Sequence, residues 1–377
     1  MFFEKFTPVE LSFLSVLAVA LLAQTHYFFR IFGKLAFLKP RPSGKNELEP
    51  LTVIIAARNE SKNIKKNLHS VLEQDYPDFE VIVVNDCSWD DSQKVLEEMQ
   101  KEFPHLKVSQ LIEQEKYPTG KKFALTIGIK AAKNDLLVFT DADCVPASRN
   151  WLRHMQSRMT GNKEIVLGFS PYEKQSGFLN LFIRFETLMT ALFYLGMALK
   201  KNPFMGVGRN LAYRKELFFR QKGFANHQHI RSGDDDLFVN EAANSSNTAI
   251  EIHPESFVYT EAKKDFGSWS SQKKRHMTTG KYYKNKHRNV LGIYYASMML
   301  FYILTAAILV LNIQLWYFVA GIYFLRLVSQ EIVFYYAAKK LNCLNVLAAL
   351  PLLDLLYVFY LAVYGTIGLL TFKRKKW

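Results

Sequence analysis

Near the middle of this 377-residue chain a strand-forming run drives into two acids, "VFTDADCVP", Val138 to Pro146. Alternate residues of an extended segment point the same way, so Asp141 and Asp143 can converge on one point. Like charges held that close repel, and each shifts the other's titration, unless something positive lies between them. Mg2+ or Mn2+ would serve, because hard cations bind through one or two carboxylates together with phosphate oxygens of a ligand. An acidic turn closing a strand is the simpler alternative, and a lone D-x-D does not choose between them.

Three other segments carry groups of the same kind. Asp86 closes "VIVVND" and can accept hydrogen bonds from a base or ribose, or cap the helix that "NDCSWDD" leads into. "RSGDDDLFVNEAA" sets Asp234, Asp235 and Asp236 at a helix start, where acids are favoured. One of them can equally stand as a general base, which needs only a positioned acceptor within reach of a hydroxyl. In "SWSSQKKRHMTTGKYY", Gln272, Arg275 and His276 fall at i, i+3 and i+4, on one helical face. A guanidinium fork there suits a diphosphate or an acceptor sugar. A basic juxtamembrane helix on lipid phosphates would explain the lysines, but it does not require Gln272.

These residues need elements to hold them. "LTVIIAA" is an apolar, β-branched run of the kind found in strands buried on both faces. After it, Ile64, Leu68, Val71 and Leu72 recur at helical spacing. The strand "EVIVVND", a helix from Asp90 to about Lys101, the strand "LKVSQLI", a helix from Lys121 to Ala132 and the strand "DLLVFT" follow. Such alternation predicts a parallel sheet with right-handed crossovers in an α/β sandwich. Ligands bind such sheets beyond the carboxyl ends of the strands, which brings Asp86, Asp141 and Asp143 to one crevice.

The ends of the chain are oily. Leu11–Phe32 is long enough to span a bilayer and lacks a small-residue cleavage site, so it reads as an uncleaved anchor. Leu291–Leu311, Ile313–Ala338 and Leu344–Phe372 make three further candidates. The expected organisation is an anchor over 1–33, a linker over 34–49, a catalytic domain over 50–288 and membrane helices over 289–377. Phe178–Lys200 is expected to lie as an amphipathic helix on the membrane face, a buried core helix being the alternative. The net charge of +14 gathers beside the apolar runs (Lys34, Lys39, Arg41 and Lys45, then "KKRH" and "KYYKNKHR", then "KRKK"), as expected for contact with anionic lipids. No nucleic-acid motif accompanies it, so nucleic acid is not an expected partner. Positive charge after the first helix places the catalytic domain in the cytoplasm of a multi-pass cell-membrane protein. Lys339 and Lys340 agree. "KRKK" would fall on the opposite side after a third crossing, and Pro351 and Asp354 interrupt that last segment, so a re-entrant or interfacial path stays open there. Cys87, Cys144 and Cys343 show no pairing or zinc spacing and read as reduced thiols.

Together these segments resemble the membrane-bound family 2 glycosyltransferases over roughly residues 50 to 280. "VIIAARNE" is similar to that family's opening strand and turn, which implies a nucleotide-site role for Glu60. "VVNDCSWD" carries the nucleotide-binding acid to Asp86, and "TGKKFAL" carries the nucleotide-site lysine to Lys121. "TDADCVP" carries the metal pair to Asp141 and Asp143, with Asp141 also at the nucleotide. "GVGRNLAYRK" resembles the acceptor-side segment and points to Asn210. "GDDDL" matches the catalytic-base pattern, best carried to Asp235 with Asp234 and Asp236 as rivals. "QKKRH" is similar to Q-x-x-R-W, which sets Gln272, Arg275 and His276 at the acceptor or diphosphate. The resemblance implies a GT-A domain with one N-terminal and about three C-terminal membrane helices. It implies an inverting transferase that moves a sugar from a nucleotide-sugar, by this resemblance a UDP-sugar, to a membrane-associated hydroxyl. The acceptor would be lipid-linked or a glycan, in polysaccharide or glycolipid synthesis. His276 in place of tryptophan, and Thr126 where the family commonly has asparagine, depart from the pattern. A catalytically silent membrane scaffold of a glycan assembly complex is the alternative from another class.

Overall fold

The computed structural model describes residues 7–39, 47–113, 120–230 and 232–370. Residues 40–46 of the expected linker and the terminal "KRKK" lie outside them. The chain divides into two compact units. One comprises 40–187 and 197–269, the other 1–39, 188–196 and 270–377.

The first unit is built on strands β1 (Leu51–Ala57), β2 (Phe79–Asp86), β3 (Leu106–Leu111), β4 (Leu136–Phe139), β5 (Cys144–Pro146), β6 (Ile165–Leu167), β7 (Leu211–Arg214), β8 (Thr248–Ile250) and β9 (Val258–Thr260). Among the described residues, seven of them form one sheet in the order β3-β2-β1-β4-β7-β6-β8, while β5 and β9 pair separately. β3, β2, β1 and β4 run parallel, with Val53 opposite both Val81 and Val138. β7 then runs antiparallel to both β4 and β6, and β8 parallel to β6. The expected all-parallel sheet therefore holds for the first four strands and is corrected beyond them. Parallel neighbours need a crossover, usually helical, and the regular strand–helix alternation stops after β4.

The helix Ser61–Leu72 buries Ile64, Leu68, Val71 and Leu72 in a core shared with Val53, Val81, Leu96 and Trp151. The helix Lys121–Ala131 lies flush on the sheet because Gly128 has no side chain. A Cβ there would stand 2.8 Å from Ile54 Cγ2.

In the second unit the helix Pro8–Tyr27 continues through a π turn, Phe28–Phe32, to Ala36. Leu17, Ala20 and Leu21 pack on Phe301, Leu304 and Ile308 of the helix Asn285–Leu311. The helix Trp316–Lys340 follows. The last segment begins its α-helix at Leu350 and continues helically to Leu370. Pro351 sits in the first turn of that helix, where it removes no internal hydrogen bond. Asp354 is fully buried. Neither residue interrupts the segment, which corrects the sequence expectation.

Asp354 is tolerated because it is paired. Arg326 Nη2 donates to Asp354 Oδ2 at 2.7 Å, Gln330 Nε2 to Asp354 Oδ1 at 2.7 Å and Tyr302 Oη to Asp354 Oδ2 at 2.7 Å. Arg326 also donates through Nε to Gln24 Oε1 at 2.7 Å and through Nη1 to Gln330 Oε1 at 3.1 Å. One buried network thus ties together the first, second, third and last long apolar segments of this unit.

Five helical segments among the described residues are long and apolar enough to cross a membrane by length and composition. In Phe178–Leu199, 78% of the apolar stretch is buried, against 28% to 44% in the other four. Leu188, Met189, Leu192, Phe193, Tyr194 and Leu195 are each at most 2% exposed. Phe193 meets Tyr27, Phe32 and Tyr294 edge-on. The expected surface-lying helix is therefore corrected to a buried one. The chain passes to the second unit at Ser270, within the stretch 50–288 expected for the catalytic domain.

Breaking a buried pair leaves an uncompensated charge. Arg326→Met or Asp354→Leu alone is expected to destabilise the protein by about 3–5 kcal/mol, read as a lowered unfolding midpoint in detergent. The double variant should recover most of that loss. A double variant as unstable as the sum of the singles would contradict the pairing.

Candidate active site

At the carboxyl ends of β1 and β2 the loops are laced to one another. Asn59 N donates to Ser88 Oγ, Trp89 N to Asn59 Oδ1 and Ser61 N to Asp90 Oδ2. Asp90, with Ser92 N also bound to it at 3.0 Å, serves the first turns of two helices at once. The capping task considered for Asp86 therefore falls to Asp90. Asp86 is 3% exposed, and its Oδ1 has no hydrogen-bond partner among the described residues. A buried acceptor left open in this way at a strand end is suited to a ligand donor.

Asp141 and Asp143 occupy the turn between β4 and β5, closed by Cys144 N donating to Asp141 O at 3.1 Å. One ligand atom from each of Asp141, Asp143 and Cys144 lies within 4.8 Å of the others. Burial, then Asp141 and Asp143, push the Cys144 thiol well above its ordinary value. It stays protonated, and the two carboxylates form a hard-cation donor set. Glu60, at the end of the β1 loop, is raised by burial and by the charges of Asp143 and Asp141.

The helix carrying Lys121 begins after Gly120, whose φ of 123° is open to glycine and strained for other residues. Lys121 Nζ lies 2.7 Å from Asp141 Oδ1 and 3.1 Å from Asp234 Oδ2. Burial disfavours its charge, but Asp141, Asp234 and Asp235 hold the ammonium well above its ordinary value.

Asp235 caps the helix Asp236–Ala242 through Asp236 N, at 2.7 Å from Oδ1. Its Oδ2 accepts from Gly208 N, also at 2.7 Å. Burial, then Asp234 and Asp236, raise Asp235 to about 7. Asp234 is also raised by burial, but Lys121 pulls it below its ordinary value.

Lys122, not anticipated from the sequence, ties down the segment that precedes these acids. Its Nζ contacts His227 Nδ1 at 2.9 Å and donates to His227 O at 2.7 Å and Ile230 O at 3.0 Å. Burial, then Lys122, lower His227 to about 4, so the ring is neutral and its Nδ1 can accept from the ammonium.

The structure thus brings Glu60, Asp86, Lys121, Asp141, Asp143, Asp234 and Asp235 to one end of one unit. It does not offer Asn210 to an acceptor. That residue is 0% exposed, takes Trp151 Nε1 at 3.0 Å and donates to Phe169 O and Ser256 O at 2.8 Å each. Asn210 is a packing node, because its amide is already spent inside the fold. Gln272, Arg275 and His276 belong to the second unit, on the helix Phe266–Met277.

Residues 52–219 match the family model for Glycosyl transferase family 2. The chain carries a family 2 glycosyltransferase domain. Poly-beta-1,6-N-acetyl-D-glucosamine synthase of Staphylococcus epidermidis is 32% identical over 127 residues, 32% of this chain and 28% of that protein. The 4,4'-diaponeurosporenoate glycosyltransferase of Staphylococcus aureus is 30% identical over 164 residues, 43% of this chain and 42% of that protein. The chain matches less than half the length of these curated relatives. Mannosyltransferase PcManGT from Pyrobaculum calidifontis, solved with GDP-Man and Mn2+, aligns with a TM-score of 0.55 at 18% identity, over 96% of this chain and 95% of that one. The family 2 domain therefore has the GT-A fold, in company with long apolar helices.

Lys122→Met keeps much of the stem and removes the three contacts of the ammonium. Amide hydrogen exchange is expected to accelerate over roughly residues 225–236 and to stay unchanged in β1 and β2. Unchanged exchange over 225–236 would remove Lys122 as the clamp.

Proposed function

We propose that this family 2 domain is an inverting glycosyltransferase that moves a sugar from a nucleotide-sugar to a hydroxyl of a membrane-associated acceptor. The observation that carries this is Asp235, a carboxylate raised to about 7 in the same unit as the Asp141–Asp143 pair and the open acceptor of Asp86. In this reading Asp86 receives the nucleoside, with Glu60 at the same subsite, and Lys121 turns from its carboxylates to phosphate. Asp141 and Asp143 would hold Mg2+ or Mn2+, which when bound supplies positive charge to the diphosphate leaving group.

Asp235 takes the proton of the acceptor hydroxyl as that oxygen attacks the anomeric carbon from the face opposite the leaving group. A base near neutrality suits this task, because it is ionised at working pH yet still basic enough to accept. Gln272 and Arg275, with His276, are assigned to the acceptor or diphosphate on the family resemblance. The UDP preference has the same basis, and the GDP-Man of the fold neighbour makes a guanosine donor the second to test. The apolar helices support a lipid-linked or glycan acceptor at a membrane. Lys34, Lys39, Lys339 and Lys340 support a cytoplasmic catalytic domain.

Nucleotide release by detergent-purified protein, across UDP- and GDP-sugars with Mn2+ or Mg2+, tests the reading. Release from one donor should require the metal, vanish in Asp143→Ala and fall about 10²–10⁴-fold in Asp235→Asn. Metal-independent release, or full activity in Asp235→Asn, would refute it.

The pH profile has a defined sign. The base form of Asp235 is lost as pH falls through about 7, so kcat/KM should drop about tenfold per pH unit below that limb. A cation on Asp141 and Asp143 favours the ionised form and moves the limb lower. A profile flat down to about pH 5 excludes Asp235 as the base.

Gly208→Ala should also slow catalysis, since a Cβ there meets Asp235 Oδ2 at 3.2 Å. The readout is kcat, with KM for the donor unchanged.

A further inference from the structure

With Asn210 turned inward, the residue before it becomes the one that this segment presents. Gly208–Asn210 is a single 3-10 turn entering β7, pinned on both sides of Arg209. Gly208 N is held by Asp235 Oδ2 at 2.7 Å, and Asn210 by its three buried hydrogen bonds. The Arg209 guanidinium lies with Cζ 4.6 Å from the centre of the Tyr172 ring, a cation–π contact that restrains where it sits. Its one hydrogen bond among the described residues runs from Nη2 to Ser170 O and is long, 3.4 Å. No carboxylate forms a salt bridge with it among those residues.

A guanidinium carries five N–H donors in a rigid fork that matches phosphate or carboxylate oxygens. Here most of that fork is unspent while the backbone beneath it is fixed. Its surroundings are those of the site, since Tyr172, Cys144, Asp141 and Asp143 all raise its basicity against the burial that lowers it. A divalent ion held by Asp141 and Asp143 would add positive charge to the surroundings of this guanidinium, which favours an anionic ligand there.

We propose that Arg209 binds a phosphate group of the substrate, with its fork aimed by the Tyr172 ring and by the pinned turn. The inference rests on the glycosyltransferase reading. The phosphate has two sources, the diphosphate of the donor and a phosphate on a lipid acceptor, and both present the same oxygens to the fork.

Equilibrium binding to the full-length protein in detergent with Mn2+ separates the cases. The probes are UDP and GDP against uridine and guanosine, and a prenyl phosphate against the corresponding prenyl alcohol. Arg209→Ala should weaken the phosphate-bearing member of one pair about 10- to 100-fold, as loss of charge-assisted hydrogen bonds implies, and leave its phosphate-free member unchanged. Arg209→Lys should restore only part of that loss, because a point charge lacks the fork. Which pair responds names the source. Equal weakening within every pair, or none in any, overturns the proposal, and an unchanged unfolding midpoint in Arg209→Lys guards against a merely structural effect. Wild-type protein that binds prenyl phosphate through Arg209 but neither diphosphate would refute the nucleotide-sugar reading and leave this inference standing. Wild-type protein that binds none of the three phosphates would refute both.

Discussion

The candidate site depends on one ammonium group. Glu60, Asp86, Asp141, Asp143, Asp234, Asp235 and Asp236 crowd the same unit, and so many carboxylates near one edge of a sheet repel. Lys121 bridges Asp141 and Asp234, which joins the acids of the β4 turn to those at the start of a helix far away in sequence. This bridge also separates neighbours that the sequence presents as equals. Asp234 is drawn down by the ammonium, while Asp235, whose oxygens are taken by backbone N–H groups of Gly208 and Asp236, is left raised to about 7. Paired acids whose titrations are pushed apart are a common basis for dividing roles. Here the division is the ground for proposing Asp235 from a run of three.

The two lysines that open the same helix work in different directions. Residues adjacent on a helix point about 100° apart, so Lys121 faces the carboxylates while Lys122 reaches the carbonyls of His227 and Ile230. One helix start thereby sets the charge of the site and ties down the segment that leads into the proposed base. The close seat of Gly128 on β1 and β2 fixes that helix in turn, so the polar geometry traces back to a missing methyl group.

The first half of the catalytic unit could be read in the sequence because its signals are local. β1, β2 and β4 are unbroken apolar runs, and the helix over Ile64–Leu72 has one clear face. The later strands β6, β7 and β8 are three or four residues long and pair across long separations, so neither periodicity nor length marks them. The acids were legible as types at strand ends. Arg209 was hidden beside Asn210, because only the fold reveals which of two adjacent polar residues is spent in the core. Lys122 was masked in the same way by Lys121. Phe178–Leu199 was misjudged because an apolar run with two charges suits a lipid surface and a protein interior equally well. Pro351 and Asp354 looked like interruptions since the first needs a helix start, and the second a partner 28 residues earlier, to be harmless.

The buried Arg326–Asp354 pair has a consequence for how the protein is made. An arginine or aspartate at the centre of a lone membrane helix opposes insertion by about 2.5–3.5 kcal/mol. The segment with Arg326 leaves the ribosome before Asp354 exists, so during synthesis its charge has Gln24 and Gln330 for company but no counter-ion. Were these last two segments to enter a bilayer, entry as a joined pair would be favoured over entry one at a time, and biogenesis would then depend on timing as much as on hydrophobicity.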